Sequence, residues 1–283
     1  MRIALALAVL IGLTAPAIGT FIVQRRLALL GDGIGHIALT GIGLGLLTST
    51  SPILGALVVS ILGAAAIEVL RARSRTGGDV ALALLFYGGL AGGVLLTNLE
   101  GGGTGLQSYL FGSITSVTTE DLYVVAGLAV VVLAVVALFG RELFLLCQDE
   151  EVARASGLPT RMLSLLIAVT AAVTVVIAMR AIGLLLVSAL MVVPVAAAQQ
   201  LTRGFRDTML VAMGIGVVSA VAGLLTAFEN DLPPGPSIVL VALGLFVAAV
   251  LSRSMGRSLA RRGGSGRTLP SGSEGMANAE VHR

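Results

Sequence analysis

Lysine is absent from this chain of 283 residues, charged residues make up only 12% of it, and it holds a single cysteine, Cys147. Each shortage excludes something. A phosphate-binding loop of the G-x-x-x-x-G-K-[ST] kind needs its lysine on the nucleotide phosphates, so the chain does not hydrolyse ATP by that route. Energy for any uphill process must come from a partner or from an ion gradient. One cysteine rules out an internal disulfide and any cysteine-rich metal or iron–sulfur site, and Cys147 reads as a small buried or loop residue. A charged content of 12% beside a hydrophobic content of 56% excludes an ordinary soluble domain and points to a polytopic helical membrane protein.

Apolar runs of about 17 to 25 residues read as membrane spans. They fall at 3–23, 34–47, 53–70, 80–97, 122–139, 162–179, 182–201, 208–228 and 237–251. The expected fold is therefore an all-α transmembrane bundle of eight or nine spans. The second run is short for a full crossing. Met179-Arg180-Ala181 leaves almost no loop, so the sixth and seventh runs can form one bent or re-entrant unit. Ala15-Pro16-Ala17 mimics a signal cleavage site, but apolar sequence continues to Val23 and meets Gln24-Arg25-Arg26, the flank of a retained span.

Arginine alone sets the orientation. With nine spans, one set of loops carries Arg25, Arg26, Arg71, Arg73, Arg75, Arg141, Arg154, Arg161, Arg203, Arg206 and the six arginines of the C-terminal tail, and the other carries only Arg2 and Arg180. Basic residues concentrate on the cytoplasmic side, so the C-terminus is expected inside. The opposite loops are acidic, with Glu100, Glu120 and Asp121 in one and Glu229 and Asp231 in another. The net charge of +3 is a topology signal and does not imply nucleic acid.

Within this apolar setting, Asp32 and His36 stand out. They lie four residues apart in a Gly, Ala, Leu and Ile run that follows Arg25-Arg26, and on a helix that spacing gives them a shared face. Ionisable groups in spans usually face a bundle interior or an aqueous path. A histidine satisfied by a helix neighbour is the bland alternative. The glycines at 31, 33 and 35 and at 41, 43 and 45 lack the preceding strand of a nucleotide loop and read as close helix packing. Glu68 and Asp79 read as helix-end charges.

Between the fifth and sixth spans, Asp149, Glu150 and Glu151 suit a helix N-terminus, while Gly157 followed by Pro159 reads as a helix stop. A short amphipathic cytoplasmic helix is expected within 143–159. Pro194 should kink its span, and Pro233-Pro234-Gly235-Pro236 is a stiff turn opening the last one. The membrane domain is expected to cover 1–252. Residues 253–283, rich in Arg, Gly and Ser, are expected to be a disordered cytoplasmic tail, and those after Arg257 to be dispensable for folding and transport.

Taken in order, Arg25-Arg26, Leu30-Gly31-Asp32 with His36, the 149–159 segment, Val187-Ser188-Ala189-Leu190-Met191-Val192-Val193-Pro194 and Pro234-Gly235-Pro236-Ser237-Ile238-Val239-Leu240 resemble the membrane permease of bacterial zinc, manganese and iron ABC importers. The match runs along most of residues 20 to 250. It implies a homodimer in the bacterial cytoplasmic membrane, with a cytoplasmic ATP-binding subunit and an extracytoplasmic metal-binding protein as partners. It further implies that Asp149, Glu150, Glu151, Ala153 and Gly157 couple the chain to the ATPase, and that Asp32 and His36 line the metal pathway. The chain would be a transporter subunit, holding no permanent cofactor and passing zinc, manganese or iron. It departs from the family pattern at Gly77-Gly78-Asp79, where an acidic pair is frequent, and at Cys147-Gln148, where an aromatic residue is frequent. Thr40 stands where a proline is frequent, which makes the helix after His36 less broken than usual.

One chain offers two obvious ligands at the depth of His36, whereas zinc prefers about four. Two copies facing each other, each contributing Asp32 and His36, would supply two imidazoles and two carboxylates to a passing ion. Measured along a straight helix from Arg26 at 1.5 Å per residue, Asp32 would lie about 9 Å and His36 about 15 Å into the membrane. The rival reading is a proton- or ion-coupled secondary transporter driven by protonation of the same two side chains.

Overall fold

The computed structural model describes residues 2–73, 78–99, 110, 112, 119–179 and 182–264. The expectations placed on the acidic loop around Glu100, on Gly77, on Arg180 and on residues 265–283 lie outside the described residues. Among the described residues ten helices follow one another: α1 (Arg2–Gln24), α2 (Leu30–Leu47), α3 (Pro52–Arg73), α4 (Gly78–Leu99), α5 (Thr119–Gln148), α6 (Glu150–Ala155), α7 (Thr160–Met179), α8 (Leu184–Leu201), α9 (Phe205–Glu229) and α10 (Pro234–Gly264). No strand occurs among the described residues. Eight of the helices are long and apolar enough to cross a membrane, and α8 is a shorter apolar helix. That is the all-α bundle of eight or nine spans expected from the hydropathy pattern.

Burial sorts the helices into an inner and an outer set. In α1, α2 and α7, 72% of the apolar window is buried, against 28% in α3 and 22% in α4 and α5. The inner helices supply the core, with Leu7, Ile11, Ile18 and Phe21 of α1, Ile34 and Ile42 of α2, and Val175 of α7 fully covered. The outer helices turn Leu84, Leu95, Val130 and Leu138 outward. Such large apolar side chains are stable at a surface only against lipid or another protein.

α2 is held between α3 and α4 at backbone-to-backbone distance. A Cβ on Gly89 of α4 would lie 2.7 Å from the Ile37 nitrogen and 2.8 Å from the His36 carbonyl carbon, and one on Gly41 of α2 would lie 2.6 Å from the Ala56 Cα. No side chain fits in either gap. The packing reading therefore holds for the glycines at 41, 43 and 45, whereas a Cβ on Gly33 or Gly35 would make only ordinary contacts at 3.6–3.9 Å. Thr40, the residue in the place of the frequent proline, donates its hydroxyl to the Gly89 carbonyl at 2.7 Å, and α2 runs unbroken through it to Leu47.

Two boundaries differ from the sequence reading. α5 runs on from Phe139 through Gly140-Arg141-Glu142 to Gln148, so the segment 143–148 belongs to that long helix rather than to the short one after it. Leu143 and Leu146 are buried, which gives this extension the apolar face that carries it past the span. α10 continues beyond residue 252 to Gly264, where Arg, Met, Leu and Ala are all good helix formers.

Neighbouring glycines of α4 should respond in opposite ways. Gly89→Val forces α4 away from α2 and is expected to destabilise by about 1–3 kcal/mol through overpacking. Gly88→Ala, where an added Cβ meets nothing within 4 Å, should be neutral or mildly stabilising, since glycine in a helix interior costs about 0.5–1 kcal/mol relative to alanine. Thermal unfolding of the detergent-solubilised protein compares the two.

Candidate functional site

The corner that leads into α2 is built by its own hydrogen bonds. Arg26 adopts a left-handed conformation with φ of 58°, its N–H donates to Val23 O at 3.0 Å, and the Leu27 N–H donates to Ile22 O at 2.9 Å. This pair of bonds is the Schellman closure of a helix, with an arginine in the position glycine usually takes. Leu30 N then donates to Leu27 O at 2.8 Å, and α2 begins. The helix therefore starts at Leu30 instead of Arg26, which corrects the expected depths. At 1.5 Å per residue Asp32 sits about 3 Å and His36 about 9 Å beyond the start of α2.

Asp32 and His36 occupy successive turns of α2 but meet different neighbours. Asp32 is half-buried, and its Oδ1 accepts a hydrogen bond from the Ser188 hydroxyl of α8 at 3.1 Å. His36 is buried, with its ring edge-on to Phe86 of α4 at a centroid separation of 4.1 Å and an interplanar angle of 74°. Its Nδ1 is fully covered and has no hydrogen-bond partner. Among the described residues no group of three or more His, Cys, Asp or Glu side chains gathers in a metal-holding arrangement. One chain thus presents a carboxylate already engaged by a hydroxyl, together with an imidazole nitrogen whose bonding capacity is unmet.

Neither Ser188 nor Phe86 was singled out from sequence. Ser188 lies inside the Val187–Pro194 motif, so the motif marked its neighbourhood without marking its role. Phe86 carried no local signal.

The short helix forms where its sequence signals put it. Asp149 is extended and caps α6, its Oδ1 accepting from Glu151 N at 2.8 Å and Val152 N at 3.1 Å. Gly157 closes the other end with φ of 80°, its N–H bonded to Arg154 O at 3.0 Å while Leu158 N donates to Ala153 O at 3.1 Å. Of the residues expected to couple, Ala153 is completely buried. It faces the bundle and seats the helix, whereas Asp149, Glu150, Glu151 and Gly157 are exposed.

One end of the bundle gathers the charge. A cavity of about 350 Å³ is lined by Arg25, Glu68, Arg71, Glu150, Arg154, Arg161 and Ser164. Glu68 accepts from Arg71 at 3.1 Å, which fits its reading as a helix-end charge, while the side chain of Asp79 is outside the described residues. Arg253 of α10 donates to Gln200 of α8 at 2.7 Å. A second polar cavity, of about 180 Å³, joins Gln24, Gln148 and Arg203. Turns that the arginine count assigns to one side of the membrane are thus neighbours in space.

A many-spanned helical body with one polar helix exposed at its charged end, and a carboxylate and an imidazole inside, has the form of a membrane transport subunit. The model of the ABC 3 transport family matches residues 1–253, and the chain belongs to that family. It is 36% identical over 247 residues to the manganese transport system membrane protein MntC of Halalkalibacterium halodurans, covering 87% of this chain and 85% of the relative. With the manganese import system permease protein ScaB of Streptococcus gordonii it shares 29% identity over 259 residues, covering 92% of this chain and 93% of the relative. Its fold matches a chain of PsaBC from Streptococcus pneumoniae in complex with Fab with a TM-score of 0.80 and 29% identity, covering 88% of this chain and 90% of that one. The chain is the permease subunit of an ABC importer, as the ordered motifs of the sequence implied.

The cap makes a local prediction. Asp149→Ala removes the acceptor for two backbone N–H groups and should weaken the first turn of α6 by about 0.5–2 kcal/mol, while Asp149→Ser keeps a capping oxygen. Amide hydrogen exchange over 151–155 is expected to quicken in the first variant and stay close to wild type in the second.

Proposed function

We propose that this permease carries a divalent metal ion into the cell past Asp32 and His36, with a separate cytoplasmic subunit hydrolysing the ATP. The observation that carries the reading is the buried, unpartnered Nδ1 of His36 one turn from Asp32. A cation moving inward along α2 meets the imidazole nitrogen of His36 first and the carboxylate oxygen of Asp32 next, because Asp32 lies nearer the arginine-rich end. Oxygen and imidazole donors suit manganese, ferrous iron and zinc, and the relatives named above are manganese transporters, which puts manganese first.

A second copy of the chain supplies a second Asp32 and His36, because two ligands fall short of the four that zinc takes and of the six that manganese favours in octahedral sites. The His36 ring packs against Phe86 of its own chain at a centroid separation of 4.1 Å, which holds the imidazole in place beside the pathway. An extracytoplasmic binding protein delivers the ion, and α6 receives the ATPase through Asp149, Glu150, Glu151 and Gly157, seated by Ala153. The arginine-rich end faces the cytoplasm, which places the C-terminus inside a bacterial cytoplasmic membrane. Residues 1–252 form the transport body, and 253–283 form a cytoplasmic tail.

The test is manganese(II) uptake by the permease and its ATPase reconstituted in vesicles, with the metal-loaded binding protein supplied. Asp32→Asn and His36→Ala should each lower uptake at least tenfold while ATPase copurification stays unchanged. Wild-type uptake should require ATP and withstand a protonophore. Normal transport by both variants removes the pathway assignment, and uptake that collapses with the proton gradient and ignores ATP favours a secondary transporter.

A further inference from the structure

Arg25 makes contacts that neither the metal pathway nor the docking of an ATPase requires. It belongs to the hydrogen-bonded corner between α1 and α2, its N–H donating to Phe21 O at 3.0 Å, and its side chain is only 8% exposed. The guanidinium reaches two other elements at once. Nη1 donates to the Ser164 hydroxyl of α7 at 2.7 Å, and Nη2 pairs with Glu150 Oε2 of α6 at 3.3 Å. The second oxygen of Glu150 accepts from Arg154 at 3.2 Å. Among the described residues, two of the three ion pairs therefore run through Glu150.

Position gives this pair its meaning. α6 is six residues long and is otherwise held by its chain neighbours α5 and α7 and by the inward-facing Ala153. Arg25 is its polar tie to the corner from which α2 departs, and that corner has little freedom, because Arg26, Leu27 and Leu30 are all bonded back to preceding carbonyls. A displacement of α6 thus acts on the corner through Arg25, and the corner turns α2 with Asp32 on its first turn. Arg71 and Arg161 line the same cavity as Glu150, so other cations stand around the pair.

We propose that Arg25 is a positioning residue that links the α6 coupling helix to the pathway helix α2, converting ATPase-driven movement of α6 into opening at Asp32. This rests on the coupling role of α6 given above. A guanidinium fork serves two acceptors at fixed geometry, which a lysine ammonium on a flexible stem does not reproduce.

The experiment uses the full permease with its ATPase in vesicles, supplied with the metal-loaded binding protein, and reads three quantities: ATPase copurification, ATP hydrolysis, and manganese(II) moved per ATP hydrolysed. Arg25→Gln should leave copurification unchanged and hydrolysis within twofold of wild type, while manganese moved per ATP falls at least tenfold. Arg25→Lys should fall between the two. The double variant Arg25→Gln/Glu150→Gln should be no worse than the poorer single one, since both remove the same link. Gly157→Leu, which forces a side chain onto the left-handed end of α6, where φ is 80°, serves as the separate control. If Gly157→Leu uncouples transport and Arg25→Gln does not, the Arg25 link is wrong while the coupling role of α6 stands. If Gly157→Leu transports normally, the role of α6 fails and the inference fails with it. An Arg25→Gln protein that loses its ATPase or its fold shows a merely structural residue and overturns the proposal, as does a double variant whose losses multiply.

Discussion

Close backbone contact between α2 and its two neighbours is the constraint on which the arrangement depends. Glycine at 41 and 89 brings α2 against α3 and α4 with no side chain between them, and in a medium without a hydrophobic driving force such contact is what holds helices together. It also fixes the rotation of α2 about its own axis. That rotation sends Asp32 towards Ser188 of α8 and His36 towards Phe86 of α4. A helix less tightly gripped would let both polar groups swing to the lowest-energy partner available and lose a defined pathway.

On the proposed coupling, the same grip means that α2 would be moved from its end. Its middle is wedged between α3 and α4, whereas the turn before its start reaches α6 and α7 through the Arg25 side chain. Charge is concentrated at that end, where water is near and ion pairs can exchange partners at low cost. Apolar contact in the middle and exchangeable charge at the end divide the helix into a part that is held and a part that can be pushed.

Sequence showed this molecule unevenly, and the unevenness follows from range. Features that depend on neighbours in the chain were legible. The spans showed as apolar runs, α6 through its Asp149 cap and Gly157 stop, α2 packing through its glycines, and its continuity through Thr40. Features that depend on residues far apart were not. Asp32 meets Ser188 across 156 positions, Arg25 meets Glu150 across 125, and nothing local to Phe86 says that it will cover His36. The ends of α5 and α10 were misjudged for a related reason. A hydropathy window marks what is apolar enough for lipid, and a helix does not stop where lipid does. The start of α2 went wrong because the left-handed turn at Arg26 has no glycine to announce it.

The energetics of His36 bear on why such a site transports and does not store. A buried polar atom without a partner costs about 1–3 kcal/mol, and an edge-on aromatic neighbour returns about 0.5–1.5 kcal/mol. The Phe86 contact therefore offsets part of the penalty and leaves a residual demand at Nδ1. On the proposed pathway a passing cation would meet that demand by taking the nitrogen as a ligand, in competition with the contact to Phe86. Asp32 would behave similarly, since its Oδ1 already accepts from Ser188, a hydrogen bond that a cation would have to displace. Both proposed ligands would thus carry a resident competitor, and conduction requires binding strong enough to admit the ion yet weak enough to release it.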